Sequence, residues 1–442
     1  MPQNILDQAT AAVKNLRSVH YVGRVSGVHG GTVQVAGQVD SVKVGDRARV
    51  LSEGHEIHAE IVRLDQNGIH LLLDGASEGV CLGDRVVFEP APKFAPDISW
   101  MGRVIDPDGR PLDGRPLLPG VTPRRLRQEP PSPHQRRPMG QRLETGLAVF
   151  NTLLPIVQGQ RIGLFAGSGV GKSTLMADLA RGVEADVVVI ALVGERGREL
   201  RHFVDEVLGI DGMKKAVVVA ATSERAPQVR RRCAWSAMAV AEHFREMGLQ
   251  VLLLVDSVTR FCEAHREIAV AAGETANLRG YPASTGPAIA ALCERAGPGV
   301  GDEGDITAVF SVLVAGSDMD EPVADILRGV LDGHVVLERE IAERGRFPAI
   351  DVLKSVSRSL PQAASPQENA LIAQARSHLG TYQRAELMVQ SGLYTAGSDK
   401  SVDAAIACFT ALETFLTIKD QRGTLAHFSK LRQAMKSGTK PI

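Results

Sequence analysis

Three stretches of the 442-residue chain carry side chains whose types and spacing suit phosphate chemistry. The first is Gly167-Ser168-Gly169-Val170-Gly171-Lys172-Ser173-Thr174. Glycines let a backbone turn several N–H groups toward one anion, a lysine then reaches the β- and γ-phosphates, and the next hydroxyl ligates Mg²⁺. One position departs from G-x-x-x-x-G-K-[ST]: Ala166 stands where the first glycine is expected. The second stretch is Val193-Gly194-Glu195-Arg196-Gly197-Arg198-Glu199. Glu195 directly follows an apolar run and a glycine, which makes it the candidate to orient an attacking water, and Arg196 is a candidate to hold the γ-phosphate or brace the loop. Arg198 and Glu199 fit a charged surface turn better. The third is Leu252-Leu253-Leu254-Val255-Asp256, an apolar strand ending in a carboxylate, the place from which a metal ion or its water is held beside a phosphate loop. Farther on stand Phe347 and Arg358. Phe347 suits either a core position or a stack on adenine, and nothing local assigns a task to Arg358.

The elements that must hold these residues follow from pattern. Ile162 to Phe165 is an apolar strand candidate and Leu175 to Ala180 a helical one, so the loop lies between strand and helix, with the positive end of the helix dipole facing it. Further strands are expected at Val187 to Val193, Ala216 to Ala221, Gln250 to Val255 and Ile306 to Val314. Helices are expected at Glu199 to Leu208, Pro227 to Met247 and Ala288 to Arg295. Apolar strands alternating with helices imply a mostly parallel sheet covered on both faces. Between Tyr21 and Pro92 about six short strands, punctuated by Gly30-Gly31, Gly45-Asp46, Asn67-Gly68 and Gly83-Asp84, predict a small closed β-barrel. Two Val-x-x-Gly-Asp-Arg turns, Val42 to Arg47 and Val80 to Arg85, suggest paired barrel halves.

Residues 4–17 place Ile5, Leu6, Ala9, Ala12, Val13 and Leu16 on one helical face. Leu117 to Pro138, rich in proline and arginine, is expected to wrap the surface without regular structure. After Pro361 only helical patterns remain: Glu368 to Val389, Ser401 to Lys419 and Thr424 to Met435. The expected division is an N-terminal amphipathic helix (1–19), a β-barrel (20–93), a connector (94–145), a P-loop ATPase domain (146–360) and a C-terminal helical domain (361–442).

Lys+Arg 50 against Asp+Glu 51 argues against a general nucleic-acid binder. The five cysteines lack metal spacing and read as free thiols of a reducing compartment. No apolar run approaches the ~20 residues of a membrane-spanning helix. The start lacks a signal-peptide pattern, and a cytoplasmic location is expected.

These motifs, with Leu253 to Arg260, Arg279-Gly280-Tyr281-Pro282-Ala283, Phe347 to Asp351 and Ser355 to Arg358, resemble the rotary-type ATPases over nearly the whole chain. That family includes the ATP synthase α and β subunits and the ATPases of type III secretion. Gly392 to Asp399 followed by Asp403 to Ile406 makes the likeness greatest to the flagellar protein-export ATPases. The resemblance implies an α/β P-loop core of the RecA-like rotary type, with an N-terminal small β-barrel and a C-terminal helical domain. It implies ATP and Mg²⁺, with Lys172 and Ser173 at the phosphates, Glu195 as catalytic carboxylate and Asp256 at the metal. Phe347 would stack on adenine, and Arg358 would be an arginine finger given to a neighbouring subunit. Having both Glu195 and Arg358 favours a homohexamer.

The partners implied are a stator-like regulator, a central coiled-coil stalk protein, the export gate and chaperone–substrate complexes, with no nucleic acid. Membrane association would be peripheral, at the cytoplasmic face of the inner membrane. The alternatives are a virulence injectisome ATPase, an RNA-translocating ring and a non-catalytic ring subunit. Gly273 to Leu278 departs from the more proline-rich loop usual in the family.

Overall fold

A computed structural model describes residues 6–7, 9–10, 13, 19–29, 31–37, 42–90, 94–314 and 319–436. Most of the amphipathic stretch 4–17 lies outside the described residues. The strands are β1 (Tyr21–His29), β2 (Thr32–Ala36), β3 (Arg47–Ser52), β4 (His55–Asp65), β5 (Gly68–Leu73), β6 (Arg85–Glu89), β7 (Arg103–Ile105), β8 (Arg161–Ala166) and β9 (Val187–Glu195). They continue with β10 (Ala216–Thr222), β11 (Val251–Asp256), β12 (Ala276–Leu278), β13 (Tyr281–Pro282), β14 (Gly297–Pro298), β15 (Asp305–Leu313), β16 (Gly333–Leu337) and β17 (Ile350–Ser357). The chain groups into two compact units, one of Met1–Pro130, Val187–Met247 and Val255–Arg295, the other of Pro131–Asp186, Gly248–Leu254 and Ala296–Ile442.

In the first unit β1 to β6 close an antiparallel barrel in the order β1-β2-β5-β4-β3-β6. Alternation makes the barrel: Val33, Val35, Ile69, Leu71 and Leu73 point inward while Gln34 and His70 between them do not. The two repeated turns have the same construction. Asp46 accepts the N–H of Lys43 at 2.9 Å and Asp84 that of Cys81 at 2.8 Å. Gly45 and Gly83 both take the left-handed conformation that only glycine adopts cheaply. Each turn delivers its arginine to the start of a strand, and those strands, β3 and β6, pair with one another.

The barrel is fastened to the helix Pro227–Glu246 by buried charge. Glu60 on β4 accepts Nη2 of Arg231 at 2.9 Å and Nη1 of Arg232 at 2.8 Å, and all three residues are at most 5% exposed. Gln228 adds hydrogen bonds to the carbonyls of Leu72 and Leu73. Burial draws the Arg231 guanidinium down to about 10 against the pull of Glu60. Arg232 is held up despite its burial, because Asp108, Glu60 and Asp74 all face it. Replacing Glu60 by Gln strands the buried Arg231 guanidinium and leaves Arg232 only the longer contacts to Asp74 and Asp108, and a buried pair broken on one side costs about 3–5 kcal/mol. A Glu60→Gln chain should therefore show a clearly lowered urea midpoint; an unchanged midpoint would show that water already reaches the cluster.

Also in this unit, β7, β10 and β9 run parallel. The first half of the proline- and arginine-rich segment lies along the surface, as expected, and is tied down at several points. Trp100 Nε1 donates to Leu118 O, Arg124 makes two 2.5 Å bonds to Glu246, and buried Arg295 donates to Leu126 O.

In the second unit β15, β8 and β16 are parallel, with β17 antiparallel to β16 at the edge. The rest of the arginine-rich segment is pinned here by Arg136 on Ala296 O and by Arg137 on Asp305. Three helices follow, Pro366–Gln390, Lys400–Leu416 and Gly423–Lys436. The first has a complete capping box: Ser365 accepts from Glu368 N–H while Glu368 accepts from Ser365 N–H. Among the described residues no helix is long and apolar enough to cross a membrane.

Candidate nucleotide site

The second unit contains the glycine loop. β8 is buried along nearly its whole length and ends at Ala166, which pairs with Leu313 on one side and Leu337 on the other. The expected glycine is dispensable at this position, because the residue is still strand and its Cβ is buried in the sheet. Turning begins after it. Gly169 and Gly171 have φ of 78° and 85°, so the loop's two tightest positions are both glycines. Gly171 caps the helix Lys172–Gly182, whose first residues Lys172, Ser173 and Thr174 reach the surface, while Leu175, Met176 and Leu179 are buried below. Val170 is the buried anchor of the loop.

Phe347 joins this loop from 176 residues away. A Cβ on Gly171 would lie 3.3 Å from the Phe347 ring, and the ring is 46% exposed. The core reading of Phe347 therefore fails, and an open aromatic edge at the loop fits a planar base. Sequence reasoning missed the residue that sets this ring. Buried Arg346 donates to the carbonyls of Pro348 and Ile350 and pairs with Glu413 of the helix Lys400–Leu416 at 2.9 Å. Nothing in its local pattern marks that task.

Arg358 is placed apart from the loop within the same unit. Leu337 of β16 lies level with Ala166 and with Ile350 of β17, whereas Gly333 lies level with Ser357. The antiparallel return of β17 thus carries Arg358 to the opposite end of the sheet, four residues or roughly 13 Å down the strands at about 3.3 Å each. There its guanidinium donates to Arg328 O at 3.1 Å and its side chain is exposed. An arginine side chain does not bridge back to the loop from this position.

The first unit contains the candidate carboxylates. Glu195 is the last residue of β9, half-buried, with its carbonyl accepting the N–H of Ser223. Gly194 before it has φ of 71°, and a Cβ there would meet Arg260 at 3.4 Å. Arg260 donates to Glu263 at 2.9 Å. That bond, with the fields of Glu195 and Glu199, raises its affinity for its proton despite partial burial. In this turn Arg196 pairs with Glu199 at 3.8 Å, both exposed. Asp256 ends β11 at 4% exposure, and Ser257 next to it caps the helix Val258–Ala271 through Arg260 N–H. Asp256 and Arg260 are thus four residues apart across one helix cap, a link that motif reading passed over.

No group of three or more His, Cys, Asp or Glu suited to a metal occurs among the described residues. Mg²⁺ in nucleotide sites needs no such cage, since it is held by one or two protein oxygens with phosphates and water. A hydroxyl such as that of Ser173 and a carboxylate such as that of Asp256 are each the kind of hard oxygen this ion takes.

A buried strand, a glycine loop with two left-handed turns, a lysine-led helix and an aromatic edge define a P-loop nucleotide-binding protein. Its relatives narrow that class. The nucleotide-binding domain of the ATP synthase alpha/beta family matches residues 146–357, and the type III secretion ATPase C-terminal domain matches residues 364–437. The flagellum-specific ATP synthase of Caulobacter vibrioides is 42% identical over 422 residues, 94% of this chain and 95% of that one. The type 3 secretion system ATPase of Sinorhizobium fredii is 41% identical over 386 residues, 86% of this chain and 85% of that one. The assembled ATPase EscN of enteropathogenic E. coli superimposes with a TM-score of 0.87 at 34% identity, covering 93% of this chain and all of EscN. EscN in complex with its central stalk EscO superimposes at 0.84, with the same identity and coverage. The chain belongs to the ATP synthase alpha/beta family and is an ATP hydrolase.

Proposed function

We propose that this chain is the Mg²⁺-dependent ATPase of a bacterial flagellar type III protein-export apparatus, working as a homohexameric ring. The observation that carries the ring is the register of β16 and β17, which puts Arg358 out of reach of the loop in its own subunit. If Arg358 stabilises charge on a transferring phosphoryl group, it does so in a neighbour's site. A ring of one kind of chain then completes every site. In this reading Gly167 to Gly171 wrap the phosphates with backbone N–H groups, with Lys172 and Thr174 beside them, and Phe347 stacks on adenine. Ser173 and Asp256 hold Mg²⁺, which when bound neutralises phosphate charge. Glu195 orients the water that attacks, and Arg196 braces its turn.

The assembled form of EscN and its complex with a stalk support a ring around a central coiled-coil partner here. The remaining partners of this reading are a stator-like regulator, the export gate and chaperone–substrate complexes, met peripherally at the cytoplasmic face of the inner membrane. A second reading, the ATPase of a virulence injectisome, is favoured by the Sinorhizobium relative. Deleting the gene decides between them. Cells without the chain should lack filaments and not swim, whereas a motile deletion strain that has lost type III secretion would overturn the flagellar reading.

A further inference from the structure

The helical end of the chain is bound to the helix that follows the phosphate loop. Asp178 lies six residues after Lys172, about 9 Å along the helix axis, too far to touch a phosphate. Its carboxylate accepts Nη2 of Arg181 at 2.9 Å and also Nζ of Lys419. Lys419 belongs to the short strap that joins the helices Lys400–Leu416 and Gly423–Lys436. That strap is laced to residues 146–148: Ala148 N–H donates to Ile418 O and Asp420 N–H to Gly146 O.

A buried polar group backs the strap. His427, 0% exposed, meets Asp420 Oδ1 with Nε2 at 3.0 Å and Asn151 Nδ2 with Nδ1 at 3.1 Å. The amide of Asn151 is a donor there, because its oxygen accepts Thr145 N–H and Oγ–H. Nδ1 therefore accepts, and Nε2 carries the proton toward Asp420. Asn151 also donates to Glu144 at 2.6 Å, and Glu144 accepts Thr424 N–H at 2.9 Å. The loop helix closes the circuit at its far end, where a Cβ on Gly182 would lie 2.2 Å from Thr145 O. Only glycine permits that approach.

The phosphate-loop helix is thus held at its end by the 144–151 segment and along its length by Lys419. We infer that the Lys419–Asp178 pair is a latch through which the helical domain sets the position of the phosphate-loop helix, so that both are positioning residues for ATP hydrolysis. The inference rests on the reading that Gly167 to Ser173 holds the phosphates. Stability alone does not account for the pair. The Lys419 side chain is 40% exposed, though that of Asp178 is only 13% exposed, and a pair open to water on one side contributes modestly to folding. Geometry at a reacting centre is far more sensitive, since a misplacement near 1 Å can cost about a hundredfold in rate.

Lys419→Ala and Asp178→Asn should each lower kcat about three- to tenfold, with KM for ATP within about twofold and the melting temperature unchanged. Because the Lys419–Asp178 contact is lost in either case, and Asp178→Asn loses the Arg181 pair besides, the double variant should be no slower than Asp178→Asn alone. Lys419→Arg, which keeps a cation within reach, should restore turnover. Single variants that turn over like the parent, losses that multiply, or losses that track a lowered melting temperature and stay unrescued by arginine would each overturn the latch. Lys172→Ala serves as the separate control. If it binds ATP normally, the phosphate-loop reading fails; if it loses ATP while Lys419→Ala hydrolyses normally, only the latch fails.

Discussion

A Glu195→Gln chain should bind ATP as the parent does and hydrolyse it about a hundred to ten thousand times more slowly, the range a positioned general base supplies. The substitution keeps size and hydrogen-bonding reach while removing the charge that polarises water. The backbone place of Glu195 at the end of β9 does not depend on the side chain, since its carbonyl takes Ser223 N–H in either case. The conformation at Gly194, with Arg260 packed over it, is likewise independent of the carboxyl group. Removing the acid also weakens the field on Arg260, which keeps Glu263 as its bonded partner. Equilibrium binding of a fluorescent ATP analogue, measured beside single-turnover hydrolysis, separates the two effects. Hydrolysis at the parent's rate would remove Glu195 from catalysis and direct attention to Glu199 or Glu263. Lost binding with normal melting would make it a binding residue instead.

The chain showed its chemistry early because the phosphate loop is local. A strand, five loop residues and a helix start suffice, and each is constrained by its own backbone. The barrel was legible for a similar reason, since alternation and glycine turns act between neighbours in sequence. What stayed hidden depends on distance. β16 and β17 were not anticipated: one is five residues long, and the other is an edge strand in which Asp351 and Lys354 interrupt the apolar pattern. Without their register, Arg358 was an arginine without an address. The helix Val258–Ala271 escaped because it follows β11 directly, with Ser257 as its only boundary mark and no glycine or proline between. The arginines of residues 117–138 read only as part of a surface-wrapping segment without regular structure. Their partners Glu246, Ala296 and Asp305 lie more than a hundred residues downstream, and no window includes them. The Asp178–Lys419 pair spans 241 residues and carried no local signal at all.

Mixing two inactive chains should restore hydrolysis. Lys172→Ala removes the cation at the loop and Arg358→Ala removes the proposed finger, an element worth about 10³–10⁵ in rate in such enzymes. Each alone should be nearly silent. Arg358 does not reach the loop of its own subunit, because the strand register holds it at the far end of β17. In a mixed ring, however, an Arg358→Ala chain still offers an intact loop, and a Lys172→Ala neighbour still offers an intact finger. With equal amounts and random assembly, about one interface in four pairs these two in the productive order. Turnover should then rise toward about a quarter of the parent's, more if the helical domain lets one competent site drive the ring. The result depends on direction: a chain carrying both substitutions, mixed with the Lys172→Ala chain, leaves no interface with both groups and should stay silent. If equal mixing recovers nothing while mixed rings are seen by mass, Arg358 does not act across the interface. Its bond to Arg328 O would then be its whole role, that of a brace at the edge of the sheet.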